Sequence, residues 1–263
     1  MHRLDGKTCI VTGAARGIGL AIAQAFHAEG ALVILADRDE TAGSAQALAL
    51  GSRFVPLDVG AERDWNDLAR DVPECDVVVN NAGVTGFEAG PAAHDPETAT
   101  LENWRAVHRV NLDGTFLGCR YAIGAMRRRG AGSIINMSSG SGLMGVPLAA
   151  AYASSKAAVR NHSKSVALYC AMKGWNIRCN SIHPGAILTP MWDPMLGEGE
   201  ERAARIATLA ADTPQRRFGD PAEVAAIAVL LASDEAAFMT GAELTIDGGR
   251  MAGFAAVPAS TKI

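Results

Sequence analysis

A phenol and an ammonium stand four residues apart in Tyr152-Ala153-Ser154-Ser155-Lys156, downstream of Ser139-Gly140-Ser141-Gly142 and a short apolar run to Pro147. On a helix, residues four apart share a face, so Tyr152 and Lys156 would point into one space. A free phenol titrates near 10, too high to trade protons readily at neutral pH. An ammonium held beside it favours the phenolate and lowers that value, as a tyrosine acting as general acid or base requires. Tyr-x-x-x-Lys also arises by chance on helices. Its meaning rests on what the rest of the chain supplies.

The elements that would position this pair begin at the front of the chain. Thr8 to Thr12 is a short apolar, β-branched run, the signature of a buried strand. Gly13-Ala14-Ala15-Arg16-Gly17-Ile18-Gly19 follows, and then Leu20 to Ala28 in helical spacing, closed at Gly30. Strand, glycine-rich turn and helix together form a phosphate cradle. The glycines allow a tight turn and close backbone approach, and the helix start offers free N–H groups to a pyrophosphate. The spacing is G-x-x-x-G-x-G and departs from the usual G-x-G-x-x-G, and a glycine-rich turn by itself is also plain loop chemistry.

The next strand, Ala31 to Ala36, ends at Asp37, eighteen residues beyond Gly19. A carboxylate there accepts hydrogen bonds from an adenosine ribose and repels a 2′-phosphate, which favours NAD over NADP. Arg16 and Arg38 pull the other way, since either can reach a phosphate. Asp37 also reads as a turn or helix-capping residue ahead of a helix from Thr41 to Leu50.

The alternation continues through a strand at Arg53 to Leu57, Asp58-Val59, a helix at Ala61 to Asp71, and a strand at Asp76 to Val79 that opens onto Asn80-Asn81-Ala82-Gly83. A polar loop from Thr85 to Pro96 follows, in which His94 reads as solvated. Leu101 to Arg129 is a long helical stretch with a bend expected around Asn111 to Gly114, and Ser133 to Met137 is a strand that delivers Ser138 and Ser139. After the helix from Ala151 to Met172 come a strand at Trp175 to Ile182, an apolar segment broken by proline at Met191 to Leu196, and a charged helical run to Ala211. That segment reads as a lid over a ligand or as a surface packed on a neighbouring subunit. A helix at Pro221 to Leu231 and a strand at Glu243 to Ile246 complete the chain.

Strands alternating with helices imply a doubly wound parallel sheet of the α/β class with right-handed crossovers. Ligands of such sheets bind outside the carboxyl ends of the strands, where Gly13, Asp37, Asp58 and Asn81 fall. No linker or repeat interrupts residues 1–263, so one domain is expected, with a substrate lid at about 190–212.

Composition narrows the class of function. Of 263 residues, 49% are apolar and 20% charged, ample for a buried core. Twenty-four basic against 28 acidic side chains give a net charge of −4, and Arg127-Arg128-Arg129 reads as a solvated helix end, so no nucleic-acid partner is expected. The five cysteines lack C-x-x-C or histidine partners, which points to buried free thiols in a reducing compartment and no metal site. Neither an apolar signal core nor a membrane-length run is found, and the chain reads as cytoplasmic.

Thr12-Gly13-x-x-x-Gly17-Ile18-Gly19, Asn80-Asn81-Ala82-Gly83, Asn111, Ser139, Tyr152-x-x-x-Lys156 and Pro184-Gly185, taken in order, resemble the classical short-chain dehydrogenase/reductase family across Lys7 to Gly249. The resemblance implies a Rossmann-like sheet of about seven strands, flanked by helices on both faces, and hydride transfer between a nicotinamide and a secondary alcohol or ketone. By that resemblance Tyr152 is the acid/base, and Lys156 lowers its pKa and holds the nicotinamide ribose. Ser139, more than Ser138, hydrogen-bonds the substrate oxygen, and Asn111 anchors a water between Lys156 and solvent. Ile187 and Thr189 match contacts of the carboxamide, Asp58 and Val59 those flanking the adenine.

Met144, Val146, Leu148, Met191, Trp192, Met195 and Leu196 would line an apolar pocket, similar to family members acting on hydroxysteroids and cyclic secondary alcohols. A 3-oxoacyl-thioester or sugar reductase of the same family is the alternative, and a dinucleotide-sensing regulator a more distant one. The family is tetrameric or dimeric, with pairing expected on the helix that begins at Tyr152 and on the Pro221 to Leu231 helix.

Overall fold

Short runs of β-branched and aliphatic residues, each ended by a turn, build the framework of the protein. The computed structural model describes residues 2–253 apart from Ala89, Pro91 and Ala92. Among the described residues seven strands form one parallel sheet: β1 (Thr8–Thr12), β2 (Leu32–Asp37), β3 (Arg53–Pro56), β4 (Val77–Asn80), β5 (Ala131–Met137), β6 (Asn176–Pro184) and β7 (Glu243–Ile246). Their order is β3-β2-β1-β4-β5-β6-β7. All four residues of β4 are buried, as strands covered on both faces require.

Helices α1 (Gly17–Ala28) and α9 (Pro221–Ala232) cover one face, packing Ile22, Phe26, Val224 and Val229 against the strands. Helices α3 (Glu62–Asp71), α5 (Gly114–Arg129) and α6 (Ala150–Met172) cover the other with Trp65, Leu68, Tyr121, Met126 and Val166. Helix α2 (Glu40–Ala49) links β2 to β3 and starts on Asp39, whose carboxylate accepts the Ala42 N–H at 3.0 Å. The cap is therefore Asp39, while Asp37 belongs to the strand.

Strand order reverses between β1 and β4, and a doubly wound sheet opens a crevice at that point. The long helical stretch divides into α4 (Leu101–His108), a π-turn at Arg109–Asp113 and α5. The expected bend is thus a widened turn, and it holds Asn111 wholly buried. No described helix is long and apolar enough to cross a membrane.

The structure departs from the sequence pattern at the start of α1 and at His94. Helix α1 starts at Gly17 rather than Leu20, because Arg16 is fully extended (φ −160°, ψ 174°) and the chain turns helical at once after it. The N–H groups of Gly17, Ile18 and Gly19 thereby become the open first turn. His94 is not solvated but 3% exposed. Its ring bonds the Gly86 carbonyl at 3.0 Å and meets Phe87 edge-on at 4.5 Å, and its own carbonyl accepts from Ala150 at the start of α6.

Candidate active site

The glycine turn after β1 is shaped by what it must avoid. Gly13 and Gly17 have φ of +66° and +57°, a region that side chains rarely adopt. A Cβ on Gly13 would stand 2.8 Å from Ala82 Cα, and one on Gly19 only 2.1 Å from the Gly13 carbonyl. These hollows keep backbone close to backbone at the crevice. Thr12 ties its two sides together. Its hydroxyl accepts from Asn81 N (3.0 Å) and Ala82 N (3.1 Å), and the Asn81 amide donates back to the Thr12 carbonyl at 2.9 Å. Thr189 lies 3.4 Å from where a Gly17 Cβ would be, so the segment after β6 closes over the same turn.

At the end of β2, Asp37 accepts from Ala15 N (2.9 Å) and Asp39 N (3.0 Å), which fixes its carboxylate at the mouth of the cradle. Asp58 accepts from Gly60 N at 2.9 Å and pairs with Arg109 at 3.0 Å, while the neighbouring Val59 is buried against Gly114. Gly185 donates to the Ile246 carbonyl at 2.9 Å, and a Cβ there would meet Asp247 at 2.8 Å. Pro184 ends β6, and Ile187 is 5% exposed against Gly219. The Cβ-free hollows and open first turn of α1 fit a dinucleotide pyrophosphate, and the fixed carboxylate fits its ribose.

The second cluster gathers where β4 and β5 end and α6 begins. Ser139 is extended and accepts the Ser141 N–H at 3.1 Å, which leaves its own proton free to donate. Buried His183 supports it from below, with Nδ1 3.3 Å from the Ser139 carbonyl, and burial lowers the pKa of that imidazole and keeps it neutral. Ser138 is turned away to donate to the Lys156 carbonyl at 2.8 Å, a structural task.

Lys156 is 4% exposed, and burial pulls its ammonium down to about 8. Its Nζ donates to the Met137 carbonyl at 2.9 Å and lies 5.8 Å from the Tyr152 ring centre. The Tyr152 phenol is pushed above its ordinary value, first by burial; hydrogen bonding with Ser139 pulls it back, and the charge of Glu88 adds to the rise. In this arrangement Ser139, rather than Lys156, is the group that lowers the phenol.

Asn111 is tied to its neighbours through both amide protons and one of the two acceptor sites of Oδ1. It accepts from Val84 N (2.8 Å), and its amide donates to the Val84 carbonyl (2.9 Å) and to Ser155 (3.0 Å), which in turn donates to the Tyr152 carbonyl (2.7 Å). A Cβ on Gly83 would stand 3.2 Å from both Asn111 Oδ1 and Lys156 Nζ, so glycine leaves a gap between them.

Of the expected pocket residues, Leu148 is 71% exposed, and Met191 and Met195 are exposed. Leu196 is fully buried instead and anchors the segment through α7 (Asp193–Leu196), while Trp192 meets Phe218 edge-on at 5.2 Å. Asp39 and Glu88 join the site without a motif of their own in the sequence. The position of Asp39 just ahead of a helix was its available signal; Glu88 carried none beyond its charge.

Comparison with known proteins accords with this geometry. Residues 13–250 match the profile adh_short_C2, described as enoyl-(acyl carrier protein) reductase. The NADP-dependent (R)-specific alcohol dehydrogenase of Lentilactobacillus kefiri is 44% identical over 94% of this chain and 97% of its own. The 3-beta-hydroxysteroid dehydrogenase of Comamonas testosteroni is 38% identical over 94% and 96%, and the cyclopentanol dehydrogenase of a Comamonas species 38% over 95% and 98%. The chain belongs to the short-chain dehydrogenase/reductase family. It is an oxidoreductase of the class that uses a nicotinamide dinucleotide.

Proposed function

We propose that the protein transfers hydride between NAD(H) and an apolar secondary alcohol or ketone, cyclic or steroid-like, with Tyr152 as the acid/base. The meeting of Ser139, Tyr152, Lys156 and Asn111 beside the glycine cradle carries this reading. The dinucleotide, when bound, supplies or accepts the hydride, so the protein has only to orient the substrate, polarise an oxygen and move a proton. Gly13, Arg16, Gly17, Ile18 and Gly19 line its pyrophosphate side, Asp37 its adenosine ribose, and Asp58 and Val59 its adenine. Asn81, Ala82 and Gly83 floor the crevice, and Pro184, Gly185, Ile187 and Thr189 bound the nicotinamide end. Lys156 also holds the nicotinamide ribose.

The catalytic side chains then divide the proton chemistry. Ser139 donates a hydrogen bond to the substrate oxygen. Tyr152 takes the hydroxyl proton in oxidation and returns it in reduction. Lys156, buried and titrating near 8, exchanges a proton near working pH. The gap at Gly83 supports a water between Lys156 and Asn111 as the proton route.

The apolar side chains Leu148, Met191 and Met195 support an uncharged substrate, and the segment 190–212 serves as its lid. The steroid and cyclopentanol relatives support the same class. Asp37 supports NAD, although the Lentilactobacillus kefiri relative is named as NADP-dependent. Exposed Leu168, Tyr169 and Met172 on α6 support a homodimer or homotetramer; light scattering should give a multiple of the chain mass, and a lone monomer would refute it. All five cysteines are free and buried, which supports a reducing cytoplasm.

The test is nicotinamide reduction over a panel of steroid, cycloalkyl, aryl-alkyl and sugar alcohols with each cofactor. Turnover of the apolar members with NAD+ far above NADP+ is expected. Exclusive turnover of sugars, or equal use of both cofactors, would refute the corresponding part.

A further inference from the structure

Asp37 speaks for NAD, and Arg16 and Arg38 for a 2′-phosphate; the fold joins Asp37 and Arg16 through Asp39. Arg16, extended at the head of α1, forms an ion pair with Asp39. The other oxygen of Asp39 caps α2 through Ala42 N, and Asp39 N donates to Asp37 at 3.0 Å. Asp37 in turn accepts from Ala15, the residue before Arg16. Ala15, Arg16, Asp39 and Asp37 thus close a ring between the glycine turn and the end of β2.

We propose that Asp39 is a specificity-determining residue for the cofactor: by holding Arg16 it withholds a guanidinium that would otherwise be open to a 2′-phosphate. The inference rests on the NAD reading above and adds a second residue to it. A guanidinium fork matches carboxylate and phosphate alike, so the two anions compete for one cation. The Arg16 side chain is 57% exposed and that of Asp39 37%, and a pair so open to water contributes little to stability. Its consequence is where the guanidinium points. Arg38 is exposed and makes no ion pair among the described residues, so Arg16 is the cation whose availability the fold controls.

The experiment is fluorescence titration of the full chain with NADPH and NADH, for wild type, Asp39→Asn, Arg16→Ala and the double variant. Asparagine also caps helices, so α2 keeps its start; Asp39→Ser serves in its place should the first variant fold poorly. A freed charge-assisted contact should tighten NADPH relative to NADH about tenfold in Asp39→Asn. Arg16→Ala added to that variant should remove most of the gain. An unchanged affinity ratio would overturn the proposal. So would a gain that survives without Arg16, since loss of the negative charge would then explain it. Equal binding of both cofactors by wild type would refute the NAD reading, yet the change in ratio on substitution would still decide the role of Asp39.

Discussion

Lys156 Nζ stands 5.8 Å from the centre of the Tyr152 ring and gives a hydrogen bond to the Met137 carbonyl rather than to the phenol. The two groups of the Tyr-x-x-x-Lys motif are therefore neighbours that share a space without sharing a proton. Burial acts on both and in opposite directions, lowering the ammonium and raising the phenol.

The lowered ammonium has a consequence for stability. In the unfolded chain a lysine titrates near 10.4, whereas folded Lys156 titrates at about 8. Below pH 8 both states carry the proton and the fold bears the burial cost. Between about 8 and 10 the unfolded chain binds more protons, so stability rises with pH, by up to about 3 kcal/mol. Urea unfolding at pH 8 and pH 10 should show that rise in wild type and a smaller one in Lys156→Met. Identical slopes would mean the ammonium is not held in a dry site.

Glu88 is the charge set against the phenol. It is fixed by Thr85 N at 2.6 Å, the Thr85 hydroxyl at 2.9 Å and Gly86 N at 2.9 Å, and it raises the Tyr152 pKa. With Tyr152 as the proposed acid/base, alcohol oxidation should need the phenolate and its rate should climb with pH as that phenol loses its proton. Glu88→Gln removes the negative charge and should move that climb to lower pH, while Ser139→Ala removes the counterweight and should move it higher. A profile of kcat/KM against pH that stays in place in both variants would show that neither group governs the phenol.

The cradle gives a third test. A methyl at position 19 would overlap the Gly13 carbonyl at 2.1 Å, and it can be relieved only by opening the turn. Displaced N–H groups lose charge-assisted bonds of about 1.5–3 kcal/mol each. Gly19→Ala should therefore weaken NADH binding at least about tenfold by fluorescence titration, with the protein still folded by circular dichroism. Unaltered affinity would separate this turn from the dinucleotide.

Local spacing made much of this site legible in the sequence. Tyr152 and Lys156 are one helical turn apart, and the strand, glycine turn and helix at the front of the chain follow each other directly, so short-range rules suffice. The bend at Asn111 was readable because Asn, Asp and Gly disfavour a regular helix, although only the fold shows it to be a π-turn. The burial of His94 is not legible in the sequence because it depends on Gly86, Phe87 and the start of α6, partners that a polar, proline-rich stretch does not announce. The Arg16–Asp39 pair joins residues 23 apart across two strand ends, which no periodicity encodes. Leu196 looked like a pocket residue by type, but its burial is set by the packing of the segment around α7.

The most direct test of the account is the oxidation rate of a cyclic secondary alcohol with NAD+, measured for wild type and Tyr152→Phe together with NADH affinity. Phenylalanine keeps the ring and removes the one proton-carrying atom. The account predicts a fall in kcat of about 10²–10⁴-fold with NADH affinity nearly unchanged. Equal turnover by the two proteins would contradict it and move the acid/base role to another residue.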